Sequence, residues 1–194
     1  MINPYIFNIK GALSRADAVV LNLVASKSRC VFEFGVGGST MILGSSIQGK
    51  LFSFETNNNW INKTKANLEL CKSDLMTTPK ILKSNYEDEV ITKMYKEEMP
   101  DLIFIDCLGS ERPRVFKTLF EIAAPGTKFM LHDCRAAQAR GIASEVLLRV
   151  ENDVRSIESS YLDSNMVIIE KSYPRLQVNW SVTEAADTNR SKAK

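Results

Sequence analysis

The sequence predicts an α/β fold: a doubly wound, mostly parallel seven-stranded sheet with a terminal antiparallel hairpin. Three observations carry this. Short apolar segments alternate with helix-period segments along most of the chain. The first apolar segment runs into a glycine-rich turn, as the opening strand of such a sheet does. The last two strand-like segments are joined only by Ser160 to Asn165, too short for a right-handed crossover, so they must pair antiparallel.

The elements follow in order. Ala12 to Lys27 has helical periodicity, with Ser14 and Asp17 as capping candidates near its start. Arg29 to Phe34 is a short apolar run that ends at glycines, hence a buried strand. A helix over Ser39 to Ile47 leads to a β-rich segment, Lys50 to Glu55. Asn57 to Cys71 places Ile61, Thr64, Leu68 and Cys71 on one helical face. Pro79 to Lys83 is the third strand. Tyr86 to Met99 is a helix that stops before Pro100. Asp101 to Asp106 is the most apolar strand. Arg114 to Ala124 is a helix closed by Pro125-Gly126. Thr127 to Asp133 is the fifth strand and Gln138 to Val150 the following helix. Val154 to Ser159 and Met166 to Lys171 form the final pair.

A chain of 194 residues suits one domain: 1–172, with 1–28 as an N-terminal helical cap. Residues 173–194 read as a polar basic tail of weak order. Apolar residues at 44% and charged residues at 25% exclude a disordered, collagenous or disulfide-scaffold protein. Lys and Arg number 25 against 23 Asp and Glu, so no strong field favours nucleic acid or an anionic membrane. No segment has the ~18 apolar residues of a membrane span, and Met1 to Lys10 lacks signal-peptide character. Cys30, Cys71, Cys107 and Cys134 show no metal-knuckle spacing and read as reduced thiols of a cytoplasmic protein. His132 is the single histidine, which rules out a multi-histidine metal site within one chain.

In an open parallel sheet, ligands bind beyond the carboxyl ends of the strands. Glu33 to Thr40 (EFGVGGST) lies there. Gly35 and Gly37 let the backbone turn and approach a ligand, and the helix starting near Ser39 aims free N–H groups at it. A dinucleotide fingerprint fails because Thr40 stands where its third glycine belongs. Gly44 to Leu51 approximates a phosphate loop, but Leu51 replaces the needed hydroxyl and a strand follows instead of preceding. What fits is an acid-x-Gly-x-Gly loop plus Glu55 closing the second strand, a carboxylate able to accept both ribose hydroxyls.

With these residues the sequence resembles the Rossmann-like S-adenosylmethionine-dependent methyltransferases, from roughly Cys30 to Lys171. The resemblance implies S-adenosylmethionine as cofactor. It implies that Glu33, Gly35, Gly37, Gly38 and Ser39 hold the methionine portion and that Glu55 and Thr56 hold the ribose. Asn85 and Tyr86 fall at the adenine contact, where the family often has Asp in place of Asn85. Asp106 belongs to both cofactor and acceptor sites. In small-molecule O-methyltransferases that resemble catechol O-methyltransferase, aspartates placed like Asp106 and Asp133 bind a divalent metal. Here Cys134 follows where that family has Asn, and a thiol is a poor Mg²⁺ ligand. Mg²⁺ is therefore not favoured, and a proton or a substrate amine or hydroxyl is expected between the acids.

Asp106, His132 and Asp133 are the catalytic candidates. His132 could deprotonate an acceptor, or it could be a satisfied structural histidine. Strand neighbours face opposite ways, so His132 and Asp133 meet in one site only if the strand has already ended. Arg112, Arg114 and Arg135 on the rim could hold an acidic substrate or be solvated loop bases. Trp60 reads as packing. The expected function is methyl transfer to a small or medium-sized acceptor, at oxygen. The rivals are a nucleic-acid or protein methyltransferase and a non-enzymatic nucleoside- or partner-binding relative. The short N-terminal region and rim loops suggest an acceptor site that is open or completed in a homodimer.

Overall fold

Strand β1 (Cys30–Phe34, CVFEF) is buried along its whole length, as a strand with helices on both faces must be. In the computed structural model, which describes residues 13–133, 154–159 and 165–172, β1 lies near the middle of the sheet. The other strands are β2 (Lys50–Glu55), β3 (Lys80–Lys83), β4 (Leu102–Ile105), β5 (Lys128–Leu131), β6 (Val154–Ser159) and β7 (Val167–Lys171). Their order is β3-β2-β1-β4-β5-β7-β6. The sheet is mostly parallel, and β7 runs antiparallel to both β5 and β6. From β1 the chain moves outward to β2 and β3, then returns to the other side of β1 as β4. The carboxyl ends of β1 and β4 therefore flank the switch point, where such sheets open a crevice.

The helices are α1 (Arg15–Ala25), α2 (Gly38–Ser46), α3 (Asn58–Leu70), α4 (Asp88–Glu98) and α5 (Arg112–Ile122). Successive strand residues face opposite ways and so feed two cores. Phe104 and Met130 join Leu21, Ile42 and Leu68 from α1, α2 and α3. Ile103, Ile105 and Phe129 join Tyr95 of α4 and Phe116 and Leu119 of α5. Phe34 stacks on Phe54 at 4.8 Å and Phe32 meets Phe54 edge-on at 5.3 Å, which locks β1 to β2. Each fully buried Phe contributes roughly 1.5–3 kcal/mol by leaving water.

Most expected elements stand within a residue or two of their predicted ends. The differences have local causes. α5 starts at Arg112 because Pro113 suits a first helical turn, where its missing N–H costs nothing. α4 starts at Asp88 because Tyr86 has a φ of 61°, outside helical space. β5 ends at Leu131, which leaves His132 and Asp133 beyond the strand. Ser14 caps α1 as expected, accepting the Asp17 N–H at 3.1 Å. The helix expected over 138–150 and the tail 173–194 lie outside the described residues. Among the described residues, no helix is long and apolar enough to cross a membrane.

Candidate functional site

The turn after β1 rests on Gly35. Its φ is 94°, and a Cβ there would lie 2.6 Å from the Asp106 carbonyl oxygen. β1 and β4 can approach this closely only with glycine at that position. Gly37 differs from expectation. Its backbone is extended at a φ of 171°, so it does not make the turn, and a Cβ there would meet nothing within 4 Å. That open space belongs to a cavity of about 370 Å³, the size of small-molecule sites.

Gly35, Gly37, Gly38 and Ser39 line the cavity on one side. Glu55, Thr56, Asn57 and Trp60 line it from β2 and α3, Tyr86 from the β3–α4 turn, and Asp106, Cys107, Leu108 and Arg112 from the end of β4. Glu55 is 7% exposed and is held by backbone amides from both sides. Oε2 accepts from the Val36 N–H at 3.1 Å, and Oε1 accepts from the Thr56 and Asn57 N–H groups at 2.8 Å each. Trp60, expected to pack, instead faces the cavity with the Lys63 ammonium 4.7 Å from its ring centre. The Cys107 thiol is pushed up to about 12 by burial, so it stays protonated in this wall.

Two predicted cofactor residues do not line the cavity. Asn85 is exposed and donates to Glu87 at 3.1 Å. Glu33 is fully buried beneath the glycine loop, where it accepts from Ser39 Oγ at 2.5 Å and Ser53 Oγ at 2.6 Å. It reaches the cavity only through Ser39, whose hydroxyl proton it engages. Alternation along β1 sends Glu33 under α2 and not into the crevice.

Asp106, His132 and Asp133 do come together, because β5 ends before them and Asp133 adopts a φ of 58°. His132 Nδ1 lies 3.0 Å from Asp106 Oδ1 and 3.6 Å from Asp133 Oδ1. On its other side, Nε2 faces Asp17 Oδ2 of α1 at 3.4 Å. Asp17 is 2% exposed and also accepts from Ser14 Oγ at 2.6 Å and the Asn165 N–H at 2.6 Å. His132 thus braces Asp106 against α1 and does not line the cavity.

Arg112 corrects the expectation of a substrate-holding or solvated rim base. It is 9% exposed, and four of its five N–H donors are engaged inside the protein. Nε donates to the Cys107 carbonyl at 2.6 Å and Nη1 to the His132 carbonyl at 2.8 Å. Nη2 donates to Asp106 at 2.9 Å and Asp133 at 3.3 Å. The proton or substrate group expected between the two acids is therefore a guanidinium. Arg114 is also paired, to Asp88 and to Glu111. Arg135 and Cys134 lie outside the described residues.

The ligand atoms of Asp106, His132 and Asp133 fall within 4.8 Å of one another, compact enough for a metal. The surroundings do not fit a divalent ion. Asp106 Oδ1 already takes both Arg112 and His132. A dication would also have to displace the guanidinium that already bridges the two carboxylates.

Two buried groups make stability depend on pH. Burial pushes the Glu33 carboxyl from 4.5 up to about 7, against the pull of Ser39 and Ser53. Burial alone would lower the His132 imidazole, but the Asp106 hydrogen bond and the charges of Asp106, Asp133 and Asp17 outweigh it and raise the group. Both groups hold protons more tightly in the folded than in the unfolded chain, so stability falls as pH rises. The Glu33 cost grows between 4.5 and about 7. The His132 contribution is full below 6.5 and is lost as pH climbs through its raised value. Melting temperature should therefore decline from about pH 5 to about pH 8. Glu33→Gln should flatten the profile and melt above wild type at the alkaline end. An unchanged profile in a pH series of thermal melts would refute this.

No family model and no curated protein matches the sequence. Solved structures do match its fold. A Klebsiella pneumoniae protein assigned as an O-methyltransferase superposes with a TM-score of 0.68 at 15% identity, covering 89% of this chain and 92% of its own. An O-methyltransferase from Bacillus cereus, solved in complex with S-adenosylhomocysteine, gives 0.64 at 18% identity, covering 87% and 86%. The O-methyltransferase TomG from Streptomyces achromogenes, solved with S-adenosylmethionine, gives 0.62 at 15%, covering 84% and 82%. The fold of this chain is thus one shared with Rossmann-like O-methyltransferases.

Proposed function

We propose that this chain is a cytosolic S-adenosylmethionine-dependent methyltransferase acting on a hydroxyl of a small or medium-sized molecule. The observation that carries the proposal is the cavity beyond β1, β2 and β4. Glu55 closes one side, Asp106 the other, and a glycine loop lies between them with room above Gly37. The cavity suits the size of a small ligand, and the fold neighbours crystallised with S-adenosylmethionine or S-adenosylhomocysteine bound support the cofactor.

When bound, the cofactor supplies an activated methyl on a cationic sulfur. The chain's own residues do the rest. Glu55 keeps an unshared lone pair on Oε2 for a ribose hydroxyl, having accepted one N–H there. Gly37 leaves space for the ligand, and Ser39 presents acceptor lone pairs because its proton faces Glu33. Tyr86 and Trp60 offer aromatic surface for a base. Asp106 Oδ1 is taken by Arg112 and His132, which leaves Oδ2 to accept or steer an acceptor proton. Holding both reactants in register can remove up to ~7–11 kcal/mol of barrier. Leu108, largely exposed on the rim, offers an apolar contact for the acceptor.

Glu55→Gln should weaken S-adenosylhomocysteine binding about tenfold to a hundredfold. It removes a charge-assisted bond worth ~1.5–3 kcal/mol. Calorimetry on the folded variant is the check, and unchanged affinity would remove the cofactor assignment. Methyl release from labelled S-adenosylmethionine against a panel of hydroxyl acceptors tests the reaction itself.

A further inference from the structure

We propose that the Arg112 guanidinium is the resident cation of the Asp106–Asp133 pair. It stands where the family resemblance implies a divalent ion, so this chain binds no such ion there. The inference rests on the geometry of the pair and does not depend on the identity of the methyl donor.

Nη2 reaches both carboxylates, at 2.9 and 3.3 Å. The other two nitrogens fasten the side chain in place. Nε holds the carbonyl of Cys107 just past β4, and Nη1 holds the carbonyl of His132 just past β5. The planar fork matches four acceptors at once, and rotating it out would take one donor from each of them. Burial at 9% exposure leaves little water to replace those bonds. Arg112 is also the first residue of α5, where the helix dipole disfavours a cation, so its placement is set by the carboxylates. A positive charge fixed between two acids does two things a metal would do. It offsets their like charge and orients Asp106 toward the cavity. It does not supply a vacant coordination position.

Mn²⁺ is the probe, because a site of two carboxylates and an imidazole suits it and its free form is read by electron paramagnetic resonance. Purified wild type, Arg112→Met, Asp133→Asn and the Arg112→Met/Asp133→Asn double variant are titrated with it. The expected result is no saturable site in wild type. Arg112→Met should gain a site at least about tenfold tighter than any wild-type binding, which is about 1.4 kcal/mol, and the double variant should lose it. A saturable wild-type site that disappears in Asp133→Asn overturns the proposal. So does a folded Arg112→Met protein that binds Mn²⁺ no better than wild type. If Arg112→Met does not fold, the wild-type and Asp133→Asn titrations decide alone. Calorimetry with S-adenosylhomocysteine on the same wild-type sample reports separately on the proposed cofactor. A failure there leaves the Mn²⁺ result standing.

Discussion

Gly35→Ala is expected to lower the unfolding free energy by about 2–6 kcal/mol, whereas Gly37→Ala should keep stability within about 1 kcal/mol. The contrast comes from what a methyl would meet. At position 35 the backbone is left-handed, and the new carbon would overlap the carbonyl and following amide at Asp106 and Cys107. Those atoms belong to the end of a central strand and cannot swing away as a flexible side chain could. Relief would have to come from parting β1 and β4, which the Asp106 N–H to Phe34 carbonyl bond at 2.8 Å opposes. At position 37 the methyl would project into the cavity and touch no protein atom. Gly37→Ala should therefore fold and lose S-adenosylhomocysteine binding. Urea unfolding of both variants and calorimetry on Gly37→Ala make the test. Equal destabilisation by the two, or full ligand affinity in Gly37→Ala, would contradict it.

Arg112→Met should cost about 1–3 kcal/mol, the range for leaving polar groups without their charged hydrogen-bond partner. In a chain of this size that is a drop in melting temperature on the order of 5 °C. The loss comes less from missing attraction than from what stays behind. Asp106 and Asp133 would be left close together with His132 as their only cationic neighbour among the described residues, and the Cys107 and His132 carbonyls would lose the Arg112 donor. One signature separates this from simple loss of packing. Adding Asp133→Asn should recover about 0.5–3 kcal/mol, as expected for coupled neighbours. Strict additivity of the two substitutions in urea unfolding would show that the guanidinium acts only as volume.

The sheet was legible because its strands declare themselves. CVFEF and LIFI are apolar at every position but one, and glycine, aspartate and histidine follow the ends of β1, β4 and β5. The placement of Glu55 and Asp106 at the cavity followed from the same rule, since strand ends in a parallel sheet share one edge. Side-chain direction one residue further in was harder to see. Glu33 sits mid-strand, and Ser53 paired beside it in register turns it into a buried acceptor of serine hydroxyls. Arg112 was hidden for a different reason. Its partners are Asp106 nearby and His132 and Asp133 on another strand's end, a convergence that no local pattern encodes. Its one local trace was a cation at a helix start beside Pro113, a position that dipole and capping preferences argue against. Asp17 read as a capping candidate, and it does bond Ser14. Its bonds to His132 and Asn165 span 115 and 148 positions and leave no sequence signature.

Those two spans bear on how the protein is made. A chain synthesised from its N-terminus can form the β1 glycine loop early, but Asp17 must wait for a partner 148 positions downstream. At roughly 5–20 residues per second that wait is about 7–30 s. His132 arrives 115 positions after Asp17, so the acid meets its histidine before it meets the Asn165 amide. The brace on Asp106 from Arg112 and His132 needs nothing beyond position 132, whereas the second tie of α1 waits for Asn165. A ribosome-bound chain cut short before Asn165 would carry the glycine loop and a braced Asp106, with Asp17 lacking its Asn165 bond.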